Sequence, residues 1–449
     1  MRHARGLLAL PGMVTALTLL GATSLSAQPS APDNGPVWRA ELAALGIDPA
    51  RMREGVDGNN PQAPNAANFD EAKVRAYRLP PLMGATPPVD ARGWAERRAD
   101  LVKLLEDNLV GRMPDAAAHV RVNWTVLTAE RKEIGGVPAL IRTMRGAASM
   151  PDGRKGPVIE AEITTPEKPA GPMPAVIDYT FVFPANFPRP ANFTPPPSPA
   201  IAALRHGWAY IAYYPYSVQA DNGAGLNEGI IGLVNGGRPR APTEWGALRA
   251  WGWGASRIAD LLERDSAIDG TRLALAGLSR FGKSALVAAA FDDRFAAALI
   301  GSSGAGGAKL LRRNYGEQVE NLAANGEFHW FAPAFLRYAG PHTVDDLPVD
   351  AHMLVALAAP RALFIGTGVK EQGDGWVDPR GNYLAAVAAT PAWTLLGKTG
   401  PTDPGQPAID APAPRTTLTW RQHSGGHTNA PNWEAFLDWA DALWGRRNR

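Results

Sequence analysis

Ser279 lies in the stretch Leu273-Ala-Leu-Ala-Gly277-Leu278-Ser279-Arg280-Phe281-Gly282-Lys283-Ser284, where an apolar run meets a glycine-bracketed turn and a helical pattern follows. Two chemistries compete for it. Taken as G-x-x-x-x-G-K-S between a strand and a helix, it satisfies the phosphate-binding loop, with Lys283 as phosphate ligand and Ser284 as magnesium ligand. The loop interior Leu-Ser-Arg-Phe is bulky where backbone amides would have to wrap a phosphate. The later apolar run Ala296–Ile300 also continues into Gly-Ser-Ser-Gly instead of ending in an aspartate. The other chemistry is a nucleophile elbow, a serine held on a tight strand-to-helix turn with its hydroxyl exposed. Gly277 stands two residues before Ser279 and Gly282 three after it, allowing strand and helix to approach closely. The helix N-terminus, with the Arg280 amide, would then face a developing oxyanion. The common hydrolase pattern has glycine two after the serine, where this chain has Phe281.

An elbow serine needs a base, and the base needs an orienting carboxylate, in the chain order serine, acid, histidine. Of the eight histidines, His3 is in the leader, and His119, His206, His329, His342 and His352 suit core or loop roles. His423 and His427 follow the last expected strand, in Gln-His423-Ser-Gly-Gly-His427. His427, after two glycines and before the final helix, is the expected base, and His423 a strand-end histidine. For the acid, Asp374 and Asp378 both follow the apolar run Ala362–Gly366. Asp378 precedes a proline at a helix start, where capping is the default role. Asp374, in a glycine-flanked loop, is the expected acid.

The elements that must position these groups are legible from hydrophobic period. Strand-like runs cover Val120–Leu127 and Pro157–Thr165. Buried strands are predicted at Ala175–Tyr179, Ala209–Tyr213, Leu273–Ala276, Ala296–Ile300, Ala362–Gly366 and Thr417–Trp420. Helical patterns cover Ala95–Leu109, Trp245–Glu263, Lys283–Phe291, Gly381–Leu396 and Asn432–Trp444, with a short helix near Arg39–Leu45. Alternating strands and helices imply an α/β chain: a mostly parallel sheet with helices on both faces, three layers in all. Two Pro-rich loops, Pro184–Pro199 and Pro401–Pro414, are long enough to line a cleft. Residues 1–27 read as a secretory signal peptide, 28–70 as an N-terminal segment and 71–449 as one catalytic domain. Cleavage is expected between Ala22 and Gln28, giving a periplasmic or secreted protein.

Composition narrows the chemistry further. The 449 residues contain no cysteine, which excludes thiol nucleophiles, thiolate zinc sites and iron–sulfur clusters. Basic and acidic residues number 45 and 43, a net +2 that falls to zero once Arg2 and Arg5 leave with the leader. Such a balance gives no electrostatic reason to expect a nucleic-acid partner. Beyond the leader, no apolar run is long enough to span a bilayer, so no stable membrane insertion is expected. Trp245, Trp251 and Trp253 read as core.

Several of these segments together resemble the bacterial branch of the glucuronoyl esterases, carbohydrate esterase family 15. They are Trp245-Gly-Ala-Leu-Arg-Ala-Trp-Gly-Trp253, Gly277-Leu-Ser-Arg-Phe-Gly-Lys283, Phe291-Asp-Asp-Arg-Phe295 and Ser302-Ser-Gly-Ala-Gly-Gly. Others are Arg312-Arg-Asn-Tyr-Gly-Glu317, Leu347-Pro-Val-Asp-Ala-His352, Asp374-Gly-Trp-Val-Asp-Pro379 and Gly425-Gly-His427. The resemblance spans about Pro174 to Trp444. It implies an α/β-hydrolase with long loop insertions around the cleft. It also implies cleavage of esters joining the (4-O-methyl-)glucuronic acid side chains of xylan to lignin alcohols. By position, Ser279 would be nucleophile, His427 base and Arg280 the oxyanion support. Lys283, Glu317 and Trp376 would bind the sugar, and Phe181 would offer a second oxyanion amide. Fungal members place the triad glutamate where this chain has Ser302, which moves the acid to the loop of Asp374.

A cationic Arg280 suits that chemistry, because the neutral ester becomes anionic only in the tetrahedral state. Cations at a helix N-terminus also oppose the dipole, so Arg280 and Lys283 are better explained by function than by stability. The expected substrate is a glucuronoxylan–lignin or other glucuronate ester, handled by a monomer without cofactor or metal. An acetyl or other carbohydrate ester hydrolase, and a catalytically silent carbohydrate-binding relative, remain the alternatives.

Overall fold

A computed structural model of the chain describes residues 33–182 and 196–446. The leader 1–27 and most of the loop Pro184–Pro199 lie outside the described residues. Among the described residues, nine strands form one sheet in the order β1-β2-β3-β5-β4-β6-β7-β8-β9. They are β1 (Arg121–Ile134), β2 (Val137–Ser149), β3 (Lys155–Pro166), β4 (Met173–Tyr179), β5 (Ala209–Tyr214), β6 (Ile268–Leu278), β7 (Phe295–Gly301), β8 (Ala362–Thr367) and β9 (Leu418–Gln422). The β1–β2, β2–β3 and β3–β5 pairs are antiparallel, and every pair from β5 through β4 to β9 is parallel. All six predicted buried strands are present. The sheet extends further than its sequence period indicates, because β2 carries Arg142, Arg145 and Gly146 and buries only Ala139, Met144, Gly146 and Ala148. Such an antiparallel strand, with one face wet, lacks the continuous apolar run of a central strand.

The described residues also form ten α-helices: α1 (Gly35–Ala44), α2 (Ala91–Leu105), α3 (Pro199–Arg205), α4 (Gly229–Asn235), α5 (Ala247–Leu262), α6 (Arg280–Phe291), α7 (Val319–Leu322), α8 (Ala351–Ala356), α9 (Pro379–Leu395) and α10 (Trp433–Leu443). One face of the sheet is covered by a core that includes α5 and α6. The other packs α3 and α10 through Trp208, Trp433, Phe436 and Trp439. Three layers result. Trp245, Trp251 and Trp253 are buried in the larger core, as are Phe331 and Phe335.

The N-terminal segment is bound to the body rather than trailing from it. Glu41 and Arg240 form a buried bidentate pair, with Nη2 at 2.8 and 3.0 Å from the two carboxylate oxygens. Burial pushes the Glu41 carboxyl up, against the opposing pull of the arginine. Arg53 donates to the carbonyls of Tyr338, Gly340 and His342. The loop Pro401–Pro414 runs over α9 and the end of β9. Its Asp403 carbonyl accepts from Tyr383, and Asp410 Oδ1 accepts from the Ser424 amide at the base of the His427 loop.

Candidate active site

The carboxyl ends of β6, β7 and β8 converge on one region, because parallel strands deliver their following loops to the same edge of the sheet. Ser279 links β6 directly to α6 with φ 59° and ψ −130°. A non-glycine residue in this region costs roughly 1–3 kcal/mol and persists only where its surroundings impose it. Here the surroundings are specific. The Ser279 amide donates to the Gly301 carbonyl at 2.9 Å, and a Cβ on Gly277 would stand 2.3 Å from the Phe281 carbonyl oxygen. Phe281, which occupies the usual glycine place, is fully buried under the turn. Its ring packs against those of Phe181, Tyr216 and Trp251 at centroid distances of 4.3, 5.2 and 5.3 Å. The chain thus substitutes an aromatic anchor for a glycine. Phe181 itself follows β4 by two residues, its ring on that anchor.

Helix α6 starts at Arg280, three residues before the predicted start. Ser284 lies inside it and is fully buried, its hydroxyl donated to the Leu248 carbonyl at 2.9 Å. That commits the hydroxyl a phosphate-binding loop would turn toward magnesium.

His427 and Asp374 meet. Nδ1 of the imidazole lies 2.7 Å from Asp374 Oδ1. The other carboxylate oxygen accepts from Ser302 Oγ at 2.7 Å and from the Gly368 amide at 2.5 Å. Asp374 is wholly buried, and His427 is partly exposed. An ionised carboxylate can only accept, so Nδ1 carries the ring proton and Nε2 presents a lone pair. The His427 loop is braced from below. His423 Nδ1 accepts from the Gly425 amide at 3.1 Å, so its Nε2 donates to the Thr428 carbonyl at 2.9 Å. Burial holds the His423 imidazole below its ordinary range. Asn429 Nδ2 then ties the loop to the elbow through the Gly277 carbonyl, 3.1 Å away.

Asp378 is elsewhere engaged. Its Oδ1 caps α9 through the Gly381 amide at 2.9 Å, and its Oδ2 accepts from Arg313 Nε at 2.8 Å.

One turn along α6, Lys283 Nζ donates to Glu317 Oε2 at 2.9 Å and to the Ala305 carbonyl at 2.7 Å. Both side chains are almost fully buried. The same Glu317 oxygen accepts from the Ala305 amide at 2.8 Å. A Cβ on Gly304, whose φ is +61°, would stand 2.4 Å from it. Trp376 is half-buried. Its carbonyl accepts from the Glu317 amide at 2.9 Å, while its ring lies against Gly58 of the N-terminal segment. On its outer side, Trp376 lines a groove of about 1110 Å³ shared with Asp57, Asn65, Phe69 and Lys370.

Arg280 and its neighbours hold groups the sequence pattern does not reveal. The Arg280 guanidinium pairs with Asp221, from the loop after β5, and stands 5.4 Å from the Trp330 ring centroid. Lys283 Nζ is 5.7 Å from the same ring. Buried Lys309 supports the far side, donating to the Glu317 carbonyl at 2.6 Å; burial pulls its ammonium below the ordinary value. No aspartate or lysine pattern marks Asp221 or Lys309 in the chain, since their partners are set by loop folding alone.

The model for the family described as "Glucuronyl esterase, fungi" matches residues 149–397. The prokaryotic carbohydrate esterase MZ0003 is 30% identical over 417 residues, covering 84% of this chain and 92% of that protein. A 4-O-methyl-glucuronoyl methylesterase of Podospora anserina is 31% identical over 313 residues, 68% of this chain and 56% of that protein. Among solved structures, a CE15 glucuronoyl esterase from Teredinibacter turnerae T7901 superimposes with a TM-score of 0.85. It is 40% identical over 92% of this chain and 100% of that one. A glucuronoyl esterase from Solibacter usitatus gives a TM-score of 0.71 at 31% identity, over 84% of this chain and 100% of that one.

Proposed function

The chain belongs to the glucuronoyl esterases, carbohydrate esterase family 15, which are carboxylic ester hydrolases of α/β-hydrolase fold, and from that premise we propose that it cleaves esters joining (4-O-methyl-)glucuronic acid side chains of xylan to lignin alcohols. The His427–Asp374 contact, in a loop that Asn429 ties to the strained serine elbow, carries the reading.

In this mechanism Ser279 Oγ attacks the ester carbonyl while His427 Nε2 takes its proton. Asp374 holds the imidazole in the tautomer that leaves Nε2 free and stabilises the imidazolium once formed. Negative charge gathers on the former carbonyl oxygen, facing the Arg280 amide and guanidinium; the Phe181 amide is the second proposed donor. Because the ester is neutral and the tetrahedral state anionic, a cation there lowers the barrier more than it tightens substrate binding. Collapse expels the alcohol with the proton from His427 and leaves an ester on Ser279. Water, deprotonated by His427, then attacks this acyl-enzyme and returns free glucuronate and Ser279. Lys283, Glu317 and Trp376 receive the sugar hydroxyls, with the Lys283–Glu317 pair already fixed by Ala305. Export through residues 1–27 and action as a monomer belong to the same proposal.

Rates on benzyl or methyl glucuronate compared with acetylated xylan test the substrate. Faster turnover of the uronate is expected, and a preference for the acetyl ester would reassign it.

A further inference from the structure

Among the described residues the Asp221 carboxylate has four partners. Oδ1 accepts from His329 Nε2 at 3.0 Å and Trp330 Nε1 at 2.6 Å. Oδ2 accepts from Arg280 Nη1 and from Tyr216 Oη, the latter at 3.3 Å. These donors come from three separate segments. A carboxylate so surrounded is fixed in position and, in turn, fixes the guanidinium that it grips by one nitrogen. A guanidinium presents five N–H groups in a rigid plane, so holding Nη1 sets where the others point. Arg280 Nε is buried and has no hydrogen-bond partner among the described residues. A buried donor of that kind is matched only when an oxygen acceptor arrives. Trp330 supports the same plane from a second side: its indole nitrogen holds Asp221 while its ring lies over both Arg280 and Lys283.

We propose that Asp221 is a positioning residue of the ester hydrolysis, anchoring Arg280 by Nη1 so that its remaining N–H edge is aimed at the oxyanion of the tetrahedral state. The inference rests on the oxyanion role given to Arg280 above and extends it to the group that fixes Arg280.

Charge supports the arrangement. Although burial pushes the Asp221 carboxyl up, the His329 hydrogen bond, the Arg280 cation and the Trp330 hydrogen bond hold it at about 2, so it stays ionised at any working pH. Burial holds the His329 imidazole below its ordinary value, leaving it a neutral donor. Full use of an anion beside Arg280 looks costly, since it offsets part of the cation's pull. Fixed geometry compensates, because an oxyanion donor acts through orientation prepared before the charge develops.

The test is kinetic, on benzyl glucuronate, with Asp221→Asn, Asp221→Ala, Arg280→Ala and the double variant Asp221→Ala/Arg280→Ala. Arg280→Ala should lower kcat about 10²–10³-fold. Asp221→Asn and Asp221→Ala should lower kcat by about 10–100-fold with KM held within about threefold, the pattern of an interaction used in the transition state. The double variant should be no slower than Arg280→Ala alone, because Asp221 would act only through Arg280. A structural role would instead add its loss to that of Arg280→Ala, and this result would overturn the proposal. So would wild-type kcat in both Asp221 variants while Arg280→Ala is impaired. Wild-type kcat in Arg280→Ala would refute the oxyanion reading itself, and the inference with it. Should Asp221→Ala not fold, Asp221→Asn, of the same shape, and Asp221→Asn/Arg280→Ala carry the test unchanged.

Discussion

His427 Nδ1 lies 2.7 Å from Asp374 Oδ1, and the opposite oxygen of that buried carboxylate is held by Ser302 Oγ at the same distance. The position at which fungal relatives are expected to carry a glutamate therefore still serves the histidine, one step removed. In the proposed triad, Ser302 orients the acid instead of supplying it. Removing the Asp374 charge should leave the imidazole in the wrong tautomer and lower kcat on the order of 10⁴-fold. Ser302→Ala removes one hydrogen bond to a charged group and should cost about 1–2 kcal/mol of barrier, roughly a tenfold loss. Steady-state kinetics of Asp374→Asn and Ser302→Ala check both. Equal losses in the two would mean that Ser302 does more than orient.

Asp378 provides the contrast. Its carboxylate joins Arg313 to the first turn of α9 in a fully buried setting. Asp378→Ala leaves buried Arg313 with only the half-exposed Glu71 carboxylate, at 2.7 Å, and should destabilise the protein by up to about 3–5 kcal/mol. In the folded enzyme, kcat should stay within a few-fold of wild type. Thermal denaturation paired with kinetics below the transition separates this behaviour from that of Asp374.

Lys283→Ala strips the partner from buried Glu317 and should also cost about 3–5 kcal/mol of stability. Its kinetic signature differs. If the pair receives the sugar, activity on a glucuronate ester should fall while activity on a small acetyl ester changes little. A uniform loss on both substrates would remove Lys283 from sugar recognition.

Glu327 adds a pH dependence. Burial, reinforced by the Glu317 carboxylate, pushes its carboxyl from 4.5 up to about 8. Between those values the folded chain holds a proton that the unfolded chain has released, so stability falls as pH rises across this window and levels off above it. Glutamine cannot ionise. Glu327→Gln should match wild type near pH 4.5 and exceed it increasingly up to pH 8, by an amount on the order of a few kcal/mol. Denaturant titrations at several pH values measure the difference, and a constant offset would contradict it.

The extent of the site legible in sequence follows from how each group is positioned. Ser279, Asp374 and His427 each follow an apolar strand run, where a parallel sheet delivers its loops, and their order along the chain marks them. Asp221, His329 and Trp330 leave no such trace, because 59 residues separate Asp221 from Arg280 and 108 from His329. Only the folded loops bring them together. The same reasoning explains β2: its edge-like alternation with Arg142 and Arg145 hides it, whereas the buried run Leu273–Gly277 of β6 is plain. Phe281 departs from the common elbow pattern for a reason visible only in packing against Phe181, Tyr216 and Trp251.

The most direct test is the turnover of Ser279→Ala on benzyl glucuronate beside the wild-type enzyme. With Ser279 as nucleophile, kcat should fall by on the order of 10⁶-fold, leaving only what binding and the oxyanion site supply. Turnover at the wild-type rate would contradict the assignment.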